Sequence, residues 1–169
     1  MATIEDHAPK SHDLKTLLSS DGRDFLVRSN SDDQVTKSSE LIGKTVGLYF
    51  SASWCGPCRR FTPKLIETYN DLYLENDFEV VFVSADRDED SFSEYLAKMP
   101  WLAIPCSDGD ARDRMYKLFE VKEIPRLVIL DASGKVVSEE GVGIVGEYGS
   151  EGHPFTEERI KSLKDNGNV

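Results

Sequence analysis

Cys55 and Cys58 lie two residues apart within Trp54-Cys55-Gly56-Pro57-Cys58, a spacing that suits a redox pair or half of a metal site. An apolar run, Val46-Gly47-Leu48-Tyr49-Phe50, precedes the pair, and a long amphipathic segment follows it. That order puts the cysteines at a strand-to-helix junction. Backbone N–H groups at a helix N-terminus favour negative charge, so Cys55 should ionise readily, and the thiolate is the reactive form. Cys55 is therefore the candidate nucleophile. Its thiolate would attack a disulfide, and Cys58, a neighbour one helical turn later, would resolve the mixed disulfide. Pro57 fits a first helical turn, where its missing N–H costs no intrahelical bond, and Gly56 permits close approach of a partner chain. Arg59 and Arg60 add positive charge beside the pair. Trp54 reads as part of a substrate-facing rim rather than core. Zinc would need four ligands, and Cys106, His7, His12 and His153 show no zinc-finger spacing, so no metal is expected.

The elements that must position this pair follow from hydrophobic periodicity. Residues 58–75 carry Phe61, Leu65, Thr68 or Tyr69, and Leu72 at helical spacing, with Lys64, Glu67 and Asp71 facing outward and Pro63 inside. Phe78 to Ser84 is a near-continuous apolar run, as for a strand covered on both faces. The acidic run 86–90 reads as a solvated helix start, and Phe92, Tyr95, Leu96 and Met99 as the buried stripe of that helix. Residues 12–18 predict a short helix burying Leu14, Leu17 and Leu18, and Phe25-Leu26-Val27 a short strand. Residues 29–33 read as a polar connection. A further helix carries Met115, Leu118 and Phe119. Arg126 to Leu130 predicts a strand that turns at Asp131-Ala132-Ser133-Gly134 into a hairpin with Lys135-Val136-Val137. Residues 156–164 predict a closing helix with Ile160 and Leu163 inward. A Cys-x-x-Cys in this βαβ setting reads as a thioredoxin-like dithiol.

The motifs narrow the reading. Gly47 through Arg59, Lys98-Met99-Pro100-Trp101-Leu102-Ala103-Ile104-Pro105 and Val121-Lys122-Glu123-Ile124-Pro125 resemble the nucleoredoxin and tryparedoxin branch of the thioredoxin superfamily, in particular the N-terminal domain of plant nucleoredoxins. The resemblance implies an α/β thioredoxin fold: a central mixed sheet with helices on both faces, an extra N-terminal segment and a helical insertion around residues 91–119. Polar composition predicts a mobile segment at 1–20 and a linker or tail at 166–169, flanking one thioredoxin-like domain at 21–165. The resemblance also implies a cis Pro125, with Ile124 offering its backbone to an extended substrate.

The implied activity is that of a protein-disulfide reductase in redox homeostasis or antioxidant protection of target proteins. Oxidised proteins would be its substrates. An NADPH-dependent reductase of the thioredoxin-reductase type would recharge it, with no cofactor bound by the chain itself. The other function class is a redox-regulated binding module in signalling with little turnover. One departure stands out: many thioredoxins carry a buried aspartate six residues before the nucleophile, where this chain has Tyr49. Glu123 or a water is then left to accept the proton of Cys58.

Bulk properties limit the alternatives. The 169 residues suit one domain, 30% are charged, and the net charge of −11 argues against nucleic acid and anionic membrane partners. No secretory signal or membrane-spanning run is apparent. Three cysteines fit a reducing compartment with one catalytic pair and a buried or semi-buried spare thiol, Cys106. The expected location is cytoplasmic, with the nucleus added by resemblance.

Overall fold

A computed structural model describes residues 11–28 and 31–167. Expectations for residues 1–10, 29–30 and 168–169 lie outside the described residues. In chain order come α1 (Leu14–Leu18), β1 (Phe25–Arg28), β2 (Ser31–Lys37), a 3-10 turn (Ser38–Leu41), β3 (Thr45–Ser51) and α2 (Gly56–Leu72). Then follow β4 (Phe78–Ser84), α3 (Glu89–Leu96), β5 (Leu102–Ala103), α4 (Gly109–Leu118), β6 (Arg126–Leu130) and β7 (Val136–Ser138). The chain closes with α5 (Gly141–Tyr148), a second 3-10 turn (Gly149–Gly152) and α6 (Glu157–Gly167).

The strands form one mixed sheet in the order β2-β1-β5-β4-β3-β6-β7. The centre, β3 with β4 and β4 with β5, is parallel; β1, β2, β6 and β7 pair antiparallel. Alternation along β3 sends Val46, Leu48 and Phe50 to one face and Gly47, Tyr49 and Ser51 to the other. The first face packs on α1 and α4 through Leu14, Leu17, Leu18, Ala111 and Met115. The second packs on α2 and α3 through Phe61, Leu65, Tyr69, Phe92 and Tyr95, with Trp101 fully buried among them. Every residue of β4 is buried, as its unbroken apolar run requires of a strand with helices on both faces. This is the thioredoxin fold, a mixed sheet flanked by helices.

Several boundaries differ from expectation. Ser31 to Asp33, read as connection, begin the edge strand β2. The 141–148 helix was not read at all; α2 begins at Gly56 and α6 extends to Gly167. Residues 11–20, expected to be mobile, are tied down: the Ser11 backbone bridges Lys135, the His12 N–H donates to the Gly134 carbonyl at 2.7 Å, and α1 buries its three leucines. Leu118, read as an inward residue of α4, is exposed, whereas Met115 and Phe119 are buried.

Candidate active site

The strand β3 ends at Ser51, and the chain turns through Ala52, Ser53 and Trp54 to enter α2. Cys55 is the N-cap of that helix, extended in backbone with φ −89° and ψ 112°. Its sulfur accepts a hydrogen bond from the Cys58 N–H at 3.2 Å, taking up one of the four N–H groups that a helix start leaves unpaired. Cys55 and Cys58 are disulfide-bonded. Cys55 is 6% exposed and Cys58 fully buried, so Cys55 is the sulfur nearer to solvent. A helix N-terminus and a direct N–H donor both favour negative charge on that sulfur and do nothing equivalent for a thiol deeper in the helix.

The other expected site residues fall around the pair. Trp54, expected at a substrate-facing rim, is 66% exposed. Gly56 and Pro57 form the first turn of α2, and Arg59 and Arg60 stand exposed in it. A side chain at Gly56 would meet the Arg60 guanidinium at 3.5 Å, so that cation lies over the turn. The Ile124–Pro125 bond is cis. Ile124 and Ala85 pack against the cluster of Ala52, Cys55 and Cys58, and the Ile124 carbonyl oxygen lies 3.7 Å from the Cys55 sulfur. Glu123, the side chain considered as proton acceptor, is exposed.

Asp86 was missed. The acidic run 86–90 does open α3 through Asp88, whose carboxylate accepts from Ser91 N–H at 2.9 Å and is held below the usual carboxylate range by that bond. Asp86, however, is 1% exposed. Its carboxylate accepts from the Ser53 N–H at 3.1 and 3.2 Å, the Ser53 hydroxyl at 2.6 Å and the Ser84 hydroxyl at 2.9 Å. It thereby pins the turn that leads into Cys55. Arg112 in turn donates to the carbonyls of Ser84 and Asp86, each at 3.0 Å, and of Cys106 at 2.9 Å, tying the end of β4 to the loop after β5. The sequence signal was position: a carboxylate two residues beyond a strand buried on both faces cannot be solvated like the acids that follow it.

No group of three or more His, Cys, Asp or Glu side chains among the described residues is placed to hold a metal. Cys106 is the free thiol; it is buried, and burial pushes its pKa up. In the reduced protein, Cys55 should therefore alkylate with iodoacetamide near neutral pH more than about tenfold faster than Cys106, since each unit of thiol pKa is worth up to a factor of ten in thiolate. Mass-resolved labelling of the two cysteines measures this, and equal rates would remove the basis for treating Cys55 as activated.

A thioredoxin-like family model matches residues 43–136. Over 155 residues the chain is 54% identical to probable nucleoredoxin 1 of Arabidopsis thaliana, covering 92% of this chain and 26% of that protein. It is 42% identical to nucleoredoxin of Bos taurus, covering 85% of this chain and 33% of that one. The chain thus spans about a quarter to a third of these two relatives. The crystal structure of native tryparedoxin I from Crithidia fasciculata superposes with a TM-score of 0.75 at 41% identity, covering 83% of this chain and 94% of that one.

Proposed function

The chain belongs to the thioredoxin-like family, in the branch of the nucleoredoxins and tryparedoxins, and from that membership we propose that it is a thiol-disulfide oxidoreductase working as a protein-disulfide reductase. The observation that carries this reading is the Cys55 sulfur at the N-cap of α2, hydrogen-bonded by the Cys58 N–H and disulfide-bonded to Cys58.

In the reduced chain the Cys55 thiolate attacks one sulfur of a substrate disulfide, expelling the other as thiolate and leaving a mixed disulfide. Cys58 loses its proton and attacks the Cys55 sulfur. The Cys55–Cys58 bond forms, and the bond from Cys55 to substrate breaks. The second substrate sulfur leaves as a thiolate and takes up a proton from solvent, so two electrons pass from the dithiol to the substrate. The exposed Trp54, which precedes Cys55 in the chain, and the Ile124 backbone beside its sulfur supply the surface on which an extended chain would lie. Substrates are oxidised proteins, and an external NADPH-dependent reductase of the thioredoxin-reductase type returns the disulfide to the dithiol. The working compartment is reducing, cytoplasmic or nuclear as in a nucleoredoxin. No described helix is long and apolar enough to cross a membrane.

Insulin reduction with dithiothreitol as electron donor tests the reading. Sustained turnover, many insulin disulfides cleaved per chain, is the expected result. Cleavage that stops at one disulfide per chain would instead favour a redox-regulated binding module.

A further inference from the structure

Around the Cys58 backbone carbonyl lie four linked hydroxyl groups. Tyr49 and Ser51 come from β3, Thr62 from α2 and Tyr95 from α3, and all four residues are buried. Tyr49 and Thr62 hydroxyls are 2.7 Å apart, Thr62 and Tyr95 2.8 Å, Tyr95 and Ser51 2.8 Å. Thr62 Oγ1 donates to the Cys58 carbonyl at 2.9 Å, and the Tyr49 hydroxyl reaches the same oxygen at 3.3 Å.

Each hydroxyl brings one proton and two lone pairs, and the Cys58 carbonyl is the one acceptor here that brings no proton of its own. More than one donor arrangement fits these contacts, and one of them places all four protons within the set. In that arrangement Ser51 donates to Tyr95, Tyr95 to Thr62, Thr62 to the Cys58 carbonyl, and Tyr49 to Thr62. The set is complete and neutral. Among the described residues, no carboxylate hydrogen-bonds to any of the four. Burial raises the Tyr49 pKa well above its ordinary value, so Tyr49 stays protonated at every working pH.

We propose that Tyr95 is a positioning residue for the resolving step: through Thr62 it holds the turn of α2 that carries Cys58, so that the Cys58 sulfur stays aimed at the Cys55 sulfur. Tyr95 stands 33 residues from Thr62 and belongs to α3, outside the dithiol motif. The cluster takes no proton. The proton released by Cys58 passes to solvent and is balanced by the one that the departing substrate thiolate takes up. This inference rests on the reading of Cys55 and Cys58 as a working dithiol.

The two steps can be timed separately. The reduced chain is mixed with one equivalent of an aromatic disulfide that releases a coloured thiolate. Attack by Cys55 releases the first thiolate, and resolution by Cys58 the second. Tyr95→Phe should leave the first phase within about twofold of wild type and slow the second by roughly three- to tenfold, what one neutral hydrogen bond amounts to in a barrier. Thr62→Val should do the same, and Thr62→Ser, which keeps the hydroxyl, should resolve like wild type. If Tyr95→Phe does not fold, Tyr95→Met, which also fills the site without a hydroxyl, takes its place. An unchanged second phase, or both phases slowed alike, overturns the inference and leaves the dithiol standing. A wild-type chain that releases only one thiolate overturns the dithiol reading itself.

Discussion

Cys55→Ser is expected to bring insulin reduction down to the background of the electron donor alone. A free thiol near neutral pH is a few per cent thiolate, and a helix N-terminus contributes up to about 2 kcal/mol to an anion, roughly thirtyfold in ionised fraction. That brings about half of Cys55 to thiolate. The same thirtyfold applied to a serine hydroxyl leaves it almost wholly protonated. The variant keeps shape, burial and N-cap, since serine is a favoured N-cap residue, so the fold should survive with an unchanged thermal midpoint. Cys58→Ser fails differently. With no dithiothreitol present to cleave the mixed disulfide, it should attack once and then stop, one substrate per chain. Residual multiple turnover in Cys55→Ser would assign the chemistry elsewhere.

Asp86→Ala should cost about 2–4 kcal/mol of stability and lower reductase activity by roughly ten- to a hundredfold. The alanine removes the acceptor for the Ser53 N–H and for two hydroxyls in a buried place. Rotating hydroxyls can find other partners, whereas the backbone N–H cannot, so its desolvation is the core of the cost. A domain with 5–15 kcal/mol in hand remains folded, at about that magnitude of stability. Its turn from Ser51 to Cys55, however, loses the anchor that aims the reacting sulfur. Asp86→Asn keeps an oxygen for Ser53 and should fall between the two. Urea midpoints and insulin reduction, measured on the same preparations, check both numbers; wild-type values for Asp86→Ala would show that the carboxylate is incidental to the site.

Residues with strong local signals were legible in the sequence. The dithiol, the central strand Phe78–Ser84 and the strand Arg126–Leu130 were readable because burial on both faces forces continuous apolar runs. What depended on tertiary partners was not. The edge strand β2, Ser31–Lys37, is polar and pairs only with β1, so nothing in its composition separates it from a loop. The helix α5 starts at Gly141 and contains Gly143 and Gly146, each of these two costing about 1 kcal/mol against alanine in a helix interior, so the segment reads as a breaker. Packing explains Gly141 in particular: a Cβ there would lie 2.6 Å from the Leu127 carbonyl oxygen, so only glycine lets α5 seat on β6. In the site, Cys55, Cys58 and the cis Pro125 were expected; Asp86 was hidden within an acidic run, and Tyr95 within an apolar helical stripe. Both side chains matter through the hydroxyl or N–H they meet, which spacing alone does not show.

The central claim is that Cys55 attacks and Cys58 resolves, and trapping tests it most directly. Cell extract is passed over each immobilised single-cysteine variant, washed, and eluted with dithiothreitol onto a gel. Cys58→Ser should hold partner proteins as mixed disulfides on Cys55, because the step that frees them is gone. Cys55→Ser should hold almost none, because Cys58 is fully buried one turn inside α2. The same proteins in the same amounts on both columns would contradict the account.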